Sequence, residues 1–396
     1  MSQKRRDKKN RILHNGESQQ KDGRYRYTYY VNNQQKCIYS WKLVETDPLP
    51  KGKRECIALR TQEETIKEEI ESGNFFKEKY TLEEYIEKSI AISEVRLASN
   101  TIYIKRSQLK NIKKYEISKK EISTITMSDV KYFIVCLYKN GLKYGTVKQY
   151  KSMLYSTFRE AMEEDLINKN PADFNLSKAI PNNTVKKTAL TEKQIAQYLN
   201  YIQNSNFSDY YDEINLLFNT GLRISEFCGL TFKDVDLENR LLKVDHQLVY
   251  NQMSATCSIS KTKTENGNRT IPLNEEAYHS VLNIMYRKRP TIEPIIDGQG
   301  KFLVLNQHGT VCNSQMWERR FTNIWNNFKK TVPSSFPKVT AHICRHTYCS
   351  VLASKNINPK ALQYLMGHSS VDITLDVYTH TQLDNVITEL ERMNCI

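Results

Sequence analysis

Val147, Tyr150, Leu154, Phe158 and Ala161 recur at the spacing that gathers side chains on one helical face. The spacing predicts an amphipathic helix ended by Asn170-Pro171, because proline disfavours helical backbone at the residue before it. Leu82, Tyr85 and Ile86 open a second such helix, and Val130, Phe133 and Ile134 a third, so residues 79–175 read as all-helical. The N-terminal stretch follows a different period. Arg24 to Val31 and Lys36 to Lys42 read as two short strands, with Asn32, Asn33 and the two glutamines after them as the turn. Strict alternation puts Arg24 and Arg26 on one face and Tyr25 and Tyr27 on the other. From Thr61, Gln62-Glu63-Glu64 with Ile66 and Ile70 reads as a short capped helix packed on that sheet. With 396 residues, the chain is expected to form two or three domains.

The stretch Ser177 to Lys187, containing Pro181-Asn182-Asn183, is the best linker. Beyond it, Thr191 with Gln194 resembles a capping box, and helices are expected around Tyr210–Asn219 and Ser225–Leu230. Residues 240–274 are strand-rich, with Glu265-Asn266-Gly267-Asn268 as a hairpin turn. Helices return from Glu275 onward, and no internal repeat or low-complexity tract is present.

Composition narrows the partner. Lys and Arg number 58 against 44 Asp and Glu, a surplus of 14 that suits a polyanion such as nucleic acid. A basic strand face in the N-terminal segment fits a DNA groove, since a β-ribbon enters the major groove. Arg24, Arg26 and Lys42 are its candidate contacts, and Lys105, Lys148 and Lys151 those of the helical segment. The alternative for the strand face is an ordinary solvated face, and the lysines of a helical segment most often form just that. No apolar run approaches the ~18 residues of a membrane span, and the basic start (Lys4, Arg5, Arg6, Lys8, Lys9, Arg11) is not followed by an apolar signal segment. Nine scattered cysteines are most simply reduced thiols, which points to the cytoplasm, with nucleoid association when DNA is bound.

The chemistry-bearing residues lie in the last segment: Gly221-Leu222-Arg223-Ile224-Ser225-Glu226, Ser260-Lys261-Thr262-Lys263, Ala341-His342-Ile343-Cys344-Arg345-His346, Leu365-Met366-Gly367-His368-Ser369 and Tyr378 in Thr374–His380. Singly, each has an ordinary explanation: Arg223 with Glu226 a surface helical pair, Tyr378 a half-buried aromatic, His368 a helix cap. In this order they resemble the tyrosine recombinases, the phage integrase family. Gly221–Leu230, Asp245-His246-Gln247-Leu248 and Lys360 to His368 are more similar still to integrases of conjugative transposons. The resemblance covers nearly the whole chain and is strongest from Leu190 to Tyr378.

The resemblance implies a multidomain α+β architecture. A small β-rich N-terminal arm-type DNA-binding domain (1–75) precedes an all-α, SAM-like core-binding bundle (79–175) and a mixed α/β catalytic domain with a C-terminal tail helix (188–396). It implies a site-specific recombinase that integrates and excises a mobile element through a 3′-phosphotyrosyl intermediate. Tyr378 is then the nucleophile, His342 the general base, and Arg223 and Arg345 the grip on the phosphate oxygens. Lys261 matches the lysine that protonates the leaving 5′ oxygen, His368 the second phosphate-contacting histidine, and Glu226 a residue that orients or neutralises Arg223. Lys263 is the rival of Lys261, which is favoured because Lys-Thr there follows the family pattern. Ser260 stands where many relatives have proline.

A free tyrosine, with its pKa of about 10, is phenolate only about one part in a thousand at pH 7, so a nucleophilic tyrosine needs such help. No metal or ATP is implied, because the protein–DNA bond conserves the phosphodiester energy. Exchange of two strand pairs implies a homotetramer on double-stranded DNA at the element ends and target. An excisionase and a host DNA-bending protein remain open as further partners, and a membrane role is not expected. The apolar stripe Leu383, Val386, Ile387, Leu390 and Met393 resembles tails that dock on a neighbouring protomer.

A type IB topoisomerase and a catalytically idle architectural DNA-binding protein are the rival readings. Zinc at His342, Cys344, His346 and Cys349 is disfavoured, because helical residues two apart face different ways and no Cys-x-x-Cys pair occurs. His246, on an expected strand and outside every catalytic motif, reads as structural.

Overall fold

The computed structural model of the chain describes residues 5–31, 34–71, 79–184, 188–262, 265–371, 375 and 378. They divide into two compact units, Met1–Val95 with Lys105–Asn182, and Arg96–Ile104 with Asn183–Ile396.

In the first unit, β1 (Glu17–Gln19), β2 (Tyr25–Val31) and β3 (Gln34–Ser40) form an antiparallel sheet in that order. Tyr25 and Tyr27 turn inward onto Leu43 and Leu59, as the alternation predicts. Three details differ from expectation. Gln34 and Gln35 are strand residues opposite Val31 and Tyr30, not turn residues. β1 carries no apolar alternation and is held by Thr28 N–H donating to the Gly16 carbonyl (2.9 Å) and by buried Glu17 receiving Arg60 (2.9 Å). Helix α1 (Leu59–Glu71) starts two residues before Thr61, because Leu59 and Arg60 give their N–H groups to the carbonyls of Lys42 and Leu43. Arg11 ties the small core together, reaching Asp7 at 2.9 Å and Asp47 at 2.8 Å. The expected turn residues Asn32 and Asn33 lie outside the described residues.

The helical segment comprises α2 (Leu82–Ser93), α3 (Ser99–Ile112), α4 (Met127–Lys139) and α5 (Tyr144–Glu163). Capping boxes start two of them, Thr81 with Glu84 and Thr126 with Asp129. α5 buries Val147, Tyr150, Leu154, Phe158 and Ala161, the stripe read from sequence. It does not run on to Asn170-Pro171. Asp165 takes a left-handed conformation (φ 56°), and the Leu166 N–H returns to the Ala161 carbonyl at 2.8 Å, a Schellman end with aspartate in glycine's usual place.

The second unit contains α6 (Glu192–Gln203), α7 (Tyr211–Thr220), α8 (Ile224–Gly229), β4 (Val235–Asp236), β5 (Leu241–Val244), β6 (His246–Asn251), β7 (Thr256–Lys261) and β8 (Arg269–Pro272). α9 (Glu275–Tyr286), α10 (Ser314–Phe328), α11 (Ala341–Ser354) and α12 (Pro359–Met366) follow. Thr191 and Gln194 do form a capping box on α6. The core is aromatic, with Tyr198, Phe227, Trp317, Phe321 and Phe328 buried together.

Glu265–Asn268 is not a hairpin turn. β7 pairs with β6, whereas β8 crosses to β5 in the sheet β4-β5-β8, and Glu265–Gly267 forms a 3-10 turn at the crossing. Pairing with β5 sends Arg269 and Ile271 into the interior, where Arg269 meets Glu226, a contact that a β7–β8 hairpin gives no reason to form. None of the eight described cysteines is in a disulfide, and among the described residues no helix is long and apolar enough to cross a membrane. Lys263 and the stripe from Leu383 to Met393 lie outside the described residues.

Candidate active site

The site is built on two helix ends. α7 stops at Gly221, whose left-handed backbone (φ 61°) and close approach to the Tyr348 ring leave no room for a side chain. The chain then turns through extended Arg223 into α8. Glu226, in the first turn of α8, accepts the Arg223 main-chain N–H at 2.9 Å and its guanidinium at 2.6 Å.

The second end is the C-terminus of α12, where the last carbonyls of a helix lack internal partners and carry the negative end of the dipole. Three successive carbonyls each take an arginine. Arg269 Nε donates to Leu365 at 2.7 Å, Arg345 Nη2 to Met366, and Arg223 Nη2 to Gly367 at 2.6 Å. Arg345 also donates to the Gly221 carbonyl at 2.6 Å, which joins the two helix ends. Three guanidiniums thus gather at this helix end with one carboxylate, Glu226 2% and Arg345 7% exposed and the Arg223 side chain about one-third exposed.

The electrostatics follow. Burial raises the Glu226 pKa, but the hydrogen bonds and charge of Arg269, with Arg223, hold it below the usual carboxylate value. Burial and then Arg223 push Arg345 down to about 9, still charged at neutral pH. His368, directly after Gly367, is pushed down to about 4 by burial and by Arg345, Arg223 and Arg269. Its imidazole is therefore neutral at pH 7.

Of the sequence-derived residues, Arg223, Glu226, Arg345 and His368 come together here. His342 is exposed on α11, one turn before Arg345. Lys261 is exposed at the end of β7, opposite His246. The Tyr378 hydroxyl donates to the Ile357 carbonyl at 2.6 Å, and the ring packs beside Cys349, Ala353, Leu362 and Met366. Burial and then Cys349 raise its pKa. His246 is held by Asp245 (2.6 Å) and the Gly229 carbonyl (2.8 Å). Cys344 and Cys349 are buried, and burial pushes both thiols up.

Arg269 was missed in the sequence. The signal was available: Arg269-Thr270-Ile271 alternates, so an inward Ile271 places Arg269 inward too, and a buried arginine requires a carboxylate.

In the first unit, Arg24 pairs with Asp22 (2.8 Å) and lies over Tyr39 and Trp41, Lys42 pairs with Glu55 (2.8 Å), and Arg26 Nε is buried without a hydrogen-bond partner. Lys105 is half-buried and Lys148 exposed, and Lys151 lies over Phe174 and Tyr155.

A cluster of guanidiniums with a net positive charge beside a neutral imidazole is chemistry that suits an anionic ligand such as a phosphate ester. Comparison with known proteins gives the class its name. Residues 188–384 match the phage integrase family, residues 1–70 the DNA binding domain of Tn916 integrase, and residues 81–185 the phage integrase SAM-like domain. The chain is 38% identical to the transposase from transposon Tn1545 of Streptococcus agalactiae, and 37% identical to that from transposon Tn916 of Enterococcus faecalis. Both alignments span 100% of this chain and 98% of the relative. A solved structure of the Tn1549 transposon integrase in complex with a circular intermediate DNA is 35% identical, with a TM-score of 0.74, over 79% of this chain and 99% of that one. The chain belongs to the phage integrase family of tyrosine recombinases, enzymes that cleave and rejoin DNA, and groups with the integrases of conjugative transposons.

Proposed function

We propose that Tyr378 carries the strand cleavage by which this integrase inserts and excises its element, with the α8–α12 arginine cluster holding the scissile phosphate. The observation that carries this reading is the convergence of Arg223, Arg345 and neutral His368 at the end of α12. A guanidinium has five donors, and Arg223, about one-third exposed, keeps donors for the phosphate beyond those given to Glu226 and Gly367. Glu226 cancels one of three positive charges. The surplus matches a phosphodiester that gains negative charge as it is attacked.

In the step, Tyr378 Oη forms a bond to phosphorus and the P–O5′ bond breaks. His342 takes the phenol proton, a task that suits an imidazole because that side-chain type ordinarily titrates near neutrality. Lys261, or its neighbour Lys263, gives a proton to the departing 5′ oxygen. A phenol of pKa about 10 costs about 4 kcal/mol to ionise at pH 7, and the raised value at Tyr378 adds to that demand. No metal or nucleotide enters this sequence, since the phosphotyrosyl bond stores what religation requires.

Residues 1–75 and 79–175 are assigned the arm-site and core-site DNA contacts. Arg24, Arg26 and Lys42 serve the first, and Lys105, Lys148 and Lys151 the second. Two modules on one chain gain avidity through effective concentration. Strand exchange requires four protomers on two duplexes, and an excisionase and a DNA-bending protein fit the same scheme.

A nicked suicide duplex carrying the element's end tests the reading. Without metal or ATP, the wild type is expected to form a denaturation-resistant adduct, and Tyr378→Phe none. An adduct that survives Tyr378→Phe excludes this nucleophile, and no adduct on bound wild-type sites favours an architectural role.

A further inference from the structure

Lys261 lies on a hairpin that belongs to neither helix of the arginine cluster, yet a proton donor must stand within hydrogen-bond reach of the oxygen it serves. Two side chains of β6 join that hairpin to α8. Gln247 Nε2 donates to the Lys261 main-chain carbonyl at 3.1 Å, while its Oε1 accepts the Ser225 hydroxyl at 3.0 Å. Ser225 lies two residues after Arg223. At the other end of α8, His246 meets the Gly229 carbonyl, and a Cβ on Gly229 would lie 2.8 Å from the Leu248 nitrogen, so strand and helix are in direct contact. Gln247 is thus a single side chain with one hand on the lysine-bearing strand and the other on the helix that presents Arg223.

We infer that Gln247 is a positioning residue that sets the lysine-bearing end of β7 against the phosphate grip, by bridging Lys261 to Ser225. The inference rests on the assignment of the leaving-group proton to Lys261 or Lys263. It holds for either lysine, because the carbonyl that Gln247 fixes is that of Lys261 itself and lies two residues before Lys263. Substitution removes the bridge and no hydrogen bond of the arginine cluster, so the step it affects is proton delivery to O5′.

A sulfur in place of the bridging 5′ oxygen isolates that step. When the P–S bond breaks, the electron pair departs on sulfur as a thiolate, which needs no proton at neutral pH. The suicide duplex is made with oxygen or sulfur at the cleavage position, and single-turnover adduct formation is measured for the full chain. Gln247→Ala is expected to slow the oxygen substrate at least tenfold and to leave the sulfur substrate within twofold of wild type. Ser225→Ala is expected to do the same to a smaller degree, and the double variant to be no worse than Gln247→Ala, since both residues act through one bridge. Equal slowing on both substrates, or no slowing on oxygen, overturns the role.

Lys261→Ala and Lys263→Ala report on the underlying assignment. If sulfur rescues neither, the lysine assignment falls whatever Gln247 does. If it rescues one while Gln247→Ala stays slow on sulfur, the positioning role alone falls.

Discussion

Arg269 and Glu226 form a buried ion pair at 2.9 Å, the arginine side chain wholly out of water and the carboxylate 2% exposed. The pair links β8 to α8, and both Glu226 oxygens are shared with Arg223: Oε1 accepts Arg223 Nη1 at 2.6 Å and Arg269 Nη1 at 3.3 Å, and Oε2 accepts Arg269 Nη2 and the Arg223 main-chain N–H, each at 2.9 Å. Removing one partner of such a pair strands the other charge and costs about 3–5 kcal/mol, whereas replacing both with apolar groups restores much of the loss. Arg269→Met is therefore expected to lower unfolding free energy by about 3–5 kcal/mol. Glu226→Leu with Arg269→Met is expected to recover at least half of that in urea denaturation. Cleavage of the suicide duplex should not recover, because Arg223 has lost the carboxylate that orients it. A double variant that cleaves like wild type shows that the Arg223 position does not depend on Glu226.

The contrast between Arg223 and Arg269 marks how far the sequence could be read. Arg223 sits in a local pattern, three residues before Glu226, and a helical turn is enough to bring them together. Alternation with Ile271 is enough to place Arg269 inward, but its partner depends on which strand β8 joins. The turn-forming Glu265–Asn268 fits a β7–β8 hairpin equally well, and the choice of β5 is made by burial of Ile271 and by Glu226, 43 residues away. α5 teaches the same lesson on a smaller scale. Its apolar stripe was plain in the residue spacing, but its end is set by left-handed Asp165, a conformation for which aspartate is an uncommon choice. Periodicity and local caps were legible. Long-range partners, and the three carbonyls that α12 offers to three arginines, were not.

His368 should report the charge of the cluster through its own titration. Its folded value of about 4 lies below the ordinary 6.5, held there by burial and by Arg345, Arg223 and Arg269. Between these two values the unfolded chain binds more protons than the folded one, so stability rises with pH across that window. Acidification from pH 6.5 to 4 thus removes a contribution that His368→Gln should not lose. Parallel urea titrations check this, the wild type showing the steeper fall. A phosphodiester bound beside the imidazole supplies an opposing negative charge, and the His368 value is expected to rise, as followed by the imidazole carbon-bound proton in NMR. An unmoved titration in the bound complex argues against phosphate at this position.

Tyr378 offers a test in the free protein. Its hydroxyl donates to a main-chain carbonyl, and burial followed by Cys349 raises its pKa above 10. The ultraviolet difference between wild type and Tyr378→Phe, recorded against pH, should show one phenol ionising above pH 10. Loss of that hydrogen bond is expected to cost about 1 kcal/mol of stability. Tyr378→Phe should therefore melt close to wild type while forming no adduct. A midpoint at or below 10 means the phenol is already activated before DNA arrives.

Gly367 joins backbone strain to the arginine cluster, and the two effects can be separated. Its φ of 61° is unfavourable for any residue with a side chain, and a Cβ there would lie 3.0 Å from the Asn266 carbonyl, 3.1 Å from Arg269 Nη1 and 3.4 Å from Arg223 Nη1. Gly298 has a similar positive φ of 77° with nothing within 4 Å of a Cβ. Gly298→Ala therefore incurs the conformational penalty alone, about 1–2 kcal/mol, with cleavage unchanged. Gly367→Ala incurs the same penalty and also pushes both guanidiniums, so its cleavage rate is expected to fall more than tenfold while gel-shift affinity for the element end stays within a few-fold. The guanidiniums cannot retreat freely, since Arg223 is held by Glu226 and Arg269 is buried between Leu365 and Glu226. If Gly367→Ala cleaves as well as Gly298→Ala, the end of α12 tolerates displacement and the cluster is looser than its hydrogen bonds imply.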